Sequence, residues 1–328
     1  MIKNIAIVAG GFSGERPISL KSAAIVKKSL DPAKYNGFII DISEKRWALI
    51  GDKEKKFDVD KTDFSVKTGN KKLRFDCVFM AIHGTPGEDG RLQGYFDMLG
   101  IPYTSCGQGT SALTANKGFC NKVVGAAGVL TSRSMHLFSH DVINEKNILK
   151  ELRLPVFVKP NNGGSSVGMS KVNKAADLKK AITRAFKEDK EVLIEEFVKG
   201  TEITCGVMRS KGKMYVFPIT EIVSKKEFFD YEAKYSKGMS EEITPARISV
   251  ELEEQCKATS CLVYNRLNCK GVVRMDYIAS NNGLYFLEVN TVPGMTDVSI
   301  VPQQARAFGF TIEKLFSMMI EDALWKKR

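Results

Sequence analysis

Asp276, Glu288 and Asn290 are the residues of this chain best placed to do chemistry. Asp276 ends the apolar run Gly271–Val272–Val273–Arg274–Met275–Asp276, and Glu288 and Asn290, two residues apart, end the next one. In a β-strand, side chains two residues apart project from the same face. Two such strands lying side by side would gather two carboxylates and an amide oxygen. These are ligands for a hard cation such as Mg²⁺, which commonly bridges to nucleotide phosphates. Arg274, two residues before Asp276, shares that face and can meet negative charge developing at the same centre. Pro293–Gly294 shapes a turn directly after the second run.

A second candidate is the loop Asn161–Asn162–Gly163–Gly164–Ser165–Ser166–Val167–Gly168–Met169, which follows the strand-like run Pro155–Val156–Phe157–Val158–Lys159–Pro160. Glycines let backbone N–H groups turn inward onto an anion. Ser165 and Ser166 add hydroxyl donors, and Lys159 stands two residues before the loop. This is a phosphate grip of a different kind from a P-loop, because no G-x-x-x-x-G-K-[ST] occurs. Gly107–Gln108–Gly109–Thr110–Ser111–Ala112 matches the loose dinucleotide fingerprint, but Ala127 to Arg133 supplies no acid for a ribose. A nicotinamide or flavin dinucleotide is therefore not expected.

The elements that must carry these residues fall into three regions of the 328-residue chain. Up to residue 105, short β-branched runs (Ile5–Ala9, Phe38–Ile42, Cys77–Ile82) alternate with helical stretches, one with Ile18, Ile25, Val26 and Leu30 on one face. That alternation predicts an α/β domain with a parallel sheet. Residues 106–196 start helical, then give the strand before the glycine loop and a closing strand, Val192–Glu196. Residues 197–328 hold strands at Glu202–Met208 and Lys213–Pro218, a polar stretch, a long helix near Glu251–Leu267 and the two metal-candidate strands. A final helix carries Leu315, Met318, Met319 and Leu324.

Hydrophobic content of 43% and charged content of 27% are ordinary for a globular protein. No apolar run is long enough to span a bilayer, and the N-terminal run is too short for a signal peptide, so a cytoplasmic protein with no membrane partner is expected. Seven scattered cysteines without a C-x-x-C pair predict reduced thiols. His136 and His140 stand four apart but lack the Glu of H-E-x-x-H, so no zinc site is read there. The net charge of +11 is spread along the chain, without RNP-like aromatics or zinc-finger spacing, so no nucleic-acid partner is expected.

Six short blocks, in order, resemble the D-alanine–D-alanine ligases of the ATP-grasp superfamily across essentially the whole chain. They are Gly10–Arg16 (GGFSGER), His83–Gly94 (HGTPGEDGRLQG), Gly100–Thr104 (GIPYT), Val158–Pro160 with Gly164–Met169 (VKP, GSSVGM), Asp230–Tyr235 (DYEAKY) and Glu288–Thr296 (EVNTVPGMT). The resemblance implies a three-domain ATP-grasp architecture, α/β at the N-terminus and α+β in the ATP-grasp part. Residues 1–105 would bind the first D-alanine. Residues 106–196 would be the central subdomain with the phosphate loop, and 197–328 the C-terminal subdomain with metal site and lid.

It also implies ATP and two Mg²⁺ ions, or Mn²⁺ in their place, two molecules of D-alanine as substrates, and a homodimer. Lys117 and Lys159 would bind nucleotide phosphates under the 163–169 loop, with Ser166 among the loop's donors. Glu195, Glu196, Phe197 and Val198 would form the adenine hinge, with Glu202 on the ribose. Asp276, Glu288 and Asn290 would hold the metals. Glu15 would take the ammonium of the first D-alanine in a hydrogen-bonded set with Ser165 and Tyr235, while Lys234 would hold the γ-phosphate as a lid at 230–237 closes. Arg274 and the Gly294 N–H would stabilise the oxyanion. Ser299 and the backbone at Ile300 would hold the second carboxylate, with His83 near the substrates. Three departures from the family's commoner pattern stand out: Gly163 where many relatives have Glu, Pro17 after the Glu15 motif, and Asp297–Val298–Ser299–Ile300 near the second substrate.

Overall fold

The computed structural model describes residues 1–51, 55–164, 167–224 and 240–325. Strands β1 (Lys3–Gly10), β2 (Tyr35–Ile42), β3 (Trp47–Ile50), β4 (Lys56–Asp60), β5 (Ser65–Thr68), β6 (Lys71–Leu73) and β7 (Cys77–Met80) form a sheet of order β6-β5-β4-β3-β2-β1-β7. The expected parallel core is β2-β1-β7. It is extended by an antiparallel ribbon, because β2 and β3 are joined by a tight turn in which Ser43 N donates to Arg46 O at 2.9 Å. A connection that short permits only antiparallel pairing.

Helix α1 (Arg16–Lys28) packs on β1. Its fully buried face is Ser19, Ser22, Ala23 and Val26; of the aliphatics marked by periodicity, Val26 and Leu30 are buried and Ile18 and Ile25 only partly. Small residues let the helix sit close to the sheet, where Ser19 Oγ accepts from Gly10 N and donates to Ala81 O. Alternation along β1 feeds two cores. Ile5, Ile7 and Ala9 face one with Phe79 and Phe316, while Ala6 and Val8 face the other with Phe64 and Phe96. A strand buried on both faces reads as one continuous apolar run.

Helices α2 (Arg91–Leu99), α3 (Gln108–Ala115) and α4 (Lys117–Ala126) lead to a second, wholly antiparallel sheet. Its strands β8 (Ser134–Phe138), β9 (Val156–Pro160), β10 (Ser170–Val172) and β11 (Glu191–Glu196) run in the order β10-β9-β11-β8. One face, with Val156, Val158, Val192 and Ile194, packs against α5 (Glu145–Glu151) and α6 (Leu178–Ala185). Lys159, Leu193 and Glu195 alternate onto the other face.

The third sheet is also antiparallel: β12 (Thr201–Ser210), β13 (Lys213–Val216), β14 (Thr220–Ser224), β15 (Ser240–Ile243), β16 (Val272–Ser280) and β17 (Gly283–Asn290). Ile203, Cys205, Met275, Tyr277 and Val289 turn into a core with α7 (Val250–Arg266) and α4. The opposite face of β12, β16 and β17 carries Glu202, Thr204, Arg274, Asp276, Glu288 and Asn290, while Met208 and Val272 on that face join the core shared with the first sheet. Helices α8 (Ile300–Ala307) and α9 (Ile312–Ala323) close the chain, and α9 packs onto the first sheet.

Candidate active site

The register of β16 and β17 decides the centre of the site. Asp276 stands opposite Glu288 and Arg274 opposite Asn290, while Met275 and Val289 between them face the core. A bulge follows at once: Asp276 pairs with Glu288, but Tyr277 pairs with Phe286, leaving Leu287 as the extra residue. Bulges of this kind re-aim side chains and recur beside active sites.

Arg274 Nε and Nη2 grip Asp276 Oδ1 and Oδ2 at 2.8 Å each, and Asn290 Nδ2 donates to Oδ2 at 3.0 Å. Thr204 Oγ1 donates to Oδ1 from β12. Burial pulls the Arg274 pKa down, but the Asp276 carboxylate outweighs it and holds the guanidinium above its ordinary value. Arg274 therefore stays a fixed positive charge. Among the described residues, no three His, Cys, Asp or Glu side chains gather to hold a metal. The trio is two carboxylates and an amide.

Lys117, first residue of α4, ties this centre to the glycine loop. Its ammonium donates to Gly163 O and lies 3.5 Å from Glu288 Oε2. Gly163 has φ +128°, a conformation side chains rarely adopt, with open space around it. The Gly found here in place of a Glu suits that backbone. Lys159 is ion-paired with Glu195, whose other oxygen accepts from Asn121 Nδ2 of α4 at 2.9 Å. Glu196 Oε1 accepts from Arg153 N at 2.8 Å. The carboxylates of both hinge acids are thus engaged within the protein. Phe197 N donates to Pro155 O, and its ring meets Phe157 edge-on at 5.7 Å. Val198 follows it, and Glu202 lies on β12 two residues before Thr204, on the Asp276 side.

From the first sheet, Glu15 caps the start of α1 without a side-chain capping bond. A Cβ at Gly164 would stand 3.3 Å from Glu15 Oε2, so the carboxylate faces the glycine loop. His83 is buried: Nδ1 meets Val292 O at 2.8 Å and Nε2 meets Ser22 Oγ at 3.4 Å. Desolvation lowers its pKa, so it is a neutral imidazole clamping the turn after β17 to α1. Ser299 precedes Ile300, the first residue of α8, and its hydroxyl bonds to Thr296 N (3.1 Å) and Thr296 Oγ1 (2.7 Å). A Cβ at Gly294 would stand 2.7 Å from Ser299 Oγ, so a side chain there would have to displace the Ser299 hydroxyl. Amides of a first helical turn lack intrahelical partners, which suits Ile300 N to an anion. Ser165, Ser166, Lys234, Tyr235 and the expected lid at 230–237 lie outside the described residues.

Glu88 was not singled out from the sequence, although it lies in the His83–Gly94 block. Its Oε2 accepts from Gly84 N at 2.7 Å and its Oε1 from Val292 N at 3.2 Å, bridging the two loops that carry His83 and Gly294. Burial, then the nearby Glu15 charge, pushes its pKa up to about 7. Nothing in its spacing distinguishes it from Asp89, so only the fold could reveal it.

Residues 4–106 match the family model for the D-ala D-ala ligase N-terminus, and residues 123–321 that for the D-ala D-ala ligase C-terminus. The chain is 48% identical to the D-alanine–D-alanine ligase of Parabacteroides distasonis, covering 100% of this chain and 99% of that one. It is 49% identical to that of Flavobacterium johnsoniae, covering 98% and 100%. Among solved structures, the VanG D-Ala:D-Ser ligase from Enterococcus faecalis matches with a TM-score of 0.88 at 31% identity, over 98% of this chain and 100% of that one. The D-alanine–D-alanine ligase from Bacillus anthracis complexed with ATP matches with a TM-score of 0.79 at 30% identity, over 98% and 97%. The chain belongs to the D-alanine–D-alanine ligase family, with the ATP-grasp fold.

Proposed function

We propose that this chain joins two D-alanine molecules into D-alanyl-D-alanine for peptidoglycan precursor synthesis, with ATP cleaved to ADP and phosphate. The observation that carries the assignment of its site is Lys117, which touches both the glycine loop at Gly163 O and the carboxylate pair at Glu288. Phosphate grip and acidic centre are thereby one site.

A carboxylate is a poor electrophile. In the first step, an oxygen of the first D-alanine's carboxylate takes the γ-phosphoryl group, and ADP leaves. In the second, the deprotonated amine of the second D-alanine attacks the acyl carbon, forming the C–N bond as phosphate departs. Both steps build negative charge on oxygen, which preorganised positive groups stabilise. Glu15 holds the first ammonium, facing the loop. Lys117 and Lys159 hold phosphates, the latter after sharing its charge with Glu195. Arg274 and the Gly294 N–H meet the oxyanion. Ser299 and Ile300 N hold the second carboxylate. The main chain of 195–198 holds adenine, and Glu202 the ribose. Ser165, Ser166, Lys234 and Tyr235 complete the grip and the lid that keeps water from the acyl phosphate.

The donor set of Asp276, Glu288 and Asn290 suits Mg²⁺, or Mn²⁺, and the cations now lying against the two carboxylates mark where positive charge is wanted. Two bound ions would supply further charge neutralisation at the phosphates. The division of labour follows 1–105, 106–196 and 197–328. No described helix is long and apolar enough to cross a membrane, and all seven cysteines are free thiols. Free thiols favour the cytoplasm, and a homodimer is the expected form, to be checked by sedimentation.

Purified protein with ATP, Mg²⁺ and D-alanine should form the D,D-dipeptide and phosphate in equal amounts, while L-alanine yields neither. D-serine or D-lactate at the second site should compete poorly. Absence of dipeptide across a wide range of D-alanine concentrations would overturn the proposal.

A further inference from the structure

Glu191, at the start of β11, makes an arrangement that the reaction chemistry leaves unexplained. A single carboxylate oxygen, Oε2, accepts three hydrogen bonds: from Asn116 Nδ2 at 2.9 Å, Asn161 Nδ2 at 3.0 Å and His136 Nε2 at 2.8 Å. The three donors come from three places: the residue before α4, the first residue of the glycine loop, and β8. The His136 side chain is only 2% exposed and that of Glu191 25%. Asn161 is fully buried and Asn116 nearly so.

The consequence lies in the other half of each amide. With both Asn NH₂ groups drawn to the carboxylate, both amide oxygens turn toward the first turn of α4. Asn161 Oδ1 accepts from Gly118 N at 2.7 Å, and Asn116 Oδ1 accepts from Phe119 N at 3.0 Å. Lys117 N points to Asn161 O at 3.4 Å. The opening amides of α4 are therefore used inside the protein, while the Lys117 ammonium reaches out to the glycine loop at Gly163 O. His136 donates to the carboxylate through Nε2, and its other ring nitrogen is Nδ1. That atom is buried with no hydrogen-bond partner among the described residues. It rests on Gly118, where a Cβ would come within 2.5 Å of it.

We propose that Glu191, with His136, is a positioning residue for ATP. It locks the amides of Asn116 and Asn161 so that the start of α4, and with it the Lys117 ammonium, is held in register with the glycine loop. The inference rests on the assignment of Lys117 to the phosphates. Replacing Glu191 by Gln leaves a neutral oxygen to accept from the three donors, so bonds that a charged acceptor makes roughly twice as strong are weakened together. Small displacements of a positioning group can cost up to about a hundredfold in turnover.

The test is a mutant cycle read by steady-state kinetics on the whole enzyme. Glu191→Gln should raise KM for ATP by about tenfold while KM for D-alanine stays within twofold of about its wild-type value. In a Lys117→Ala background, Glu191→Gln should change KM for ATP no further, although it lowers Tm equally in both backgrounds. His136→Gln, whose amide can still donate toward Glu191, should retain ATP affinity that His136→Leu loses. Losses in ATP affinity that multiply in the double variant would overturn the proposal, as would equal behaviour of the two His136 variants. If Lys117→Ala alone leaves KM for ATP unchanged, the phosphate assignment of Lys117 fails, and the inference with it. If Glu191→Gln fails to fold, the His136 pair decides the matter.

Discussion

Glu88→Gln should change the pH dependence of stability in a way that isolates one buried carboxyl. The Glu88 carboxyl titrates at about 7 in the fold, against 4.5 for an ordinary glutamate. Its folded pKa is raised, so between those values the folded state binds the extra proton and stability falls as pH rises. The stabilising contribution is complete below about pH 4.5 and lost by the time pH passes through 7. At about 1.4 kcal/mol per pH unit, the span corresponds to about 3 kcal/mol. Glutamine keeps one acceptor where two backbone amides, Gly84 N and Val292 N, now find an oxygen each. One of them would face an NH₂ instead, at a cost of about 1–3 kcal/mol. Glu88→Gln should therefore be less stable than the wild type at pH 4.5 by that amount, and about equal or more stable at pH 8. Urea unfolding at half-unit steps from pH 4.5 to 8 measures both curves. A constant difference across the range would refute the reasoning, because it would mean that Glu88 titrates alike in the folded and unfolded chains.

Glu288→Gln should lower kcat by about a hundredfold or more, since it removes charge where phosphates must be neutralised; near-normal turnover at ordinary Mg²⁺ would contradict the assignment. Gly294→Ala puts a methyl 2.7 Å from Ser299 Oγ. It should raise KM for the second D-alanine and destabilise the fold by about 1–3 kcal/mol, with KM for ATP little changed. Burial pushes the Cys77 and Cys120 thiols up to about 12, so native protein at pH 8 should label with a thiol reagent mainly at half-buried Cys261, as peptide mapping would show; rapid labelling of Cys77 would mean that the first sheet opens readily.

The acidic centre was legible because strand periodicity is local. A spacing of two residues places Arg274 with Asp276 and Glu288 with Asn290 in any strand, whatever surrounds it. The order of the blocks and the apolar runs Ile5–Ala9, Phe38–Ile42 and Cys77–Ile82 likewise carried the family and the parallel core. Other features were decided by contacts between segments far apart in the chain. Register set Asp276 against Glu288 and put the bulge beside them. The buried face of α1 proved to hold two serines and an alanine beside the expected Val26, because close approach to a sheet selects for size as well as hydrophobicity. Glu88 gained its raised pKa only when loops from residues 84 and 292 closed around it beside Glu15. The three donors on Glu191 come from residues 116, 136 and 161, which share no local pattern. Desolvation and hydrogen-bond convergence depend on what folding brings together, so periodicity along one segment cannot encode them, whereas the face on which a side chain stands is fixed by its neighbours in the chain.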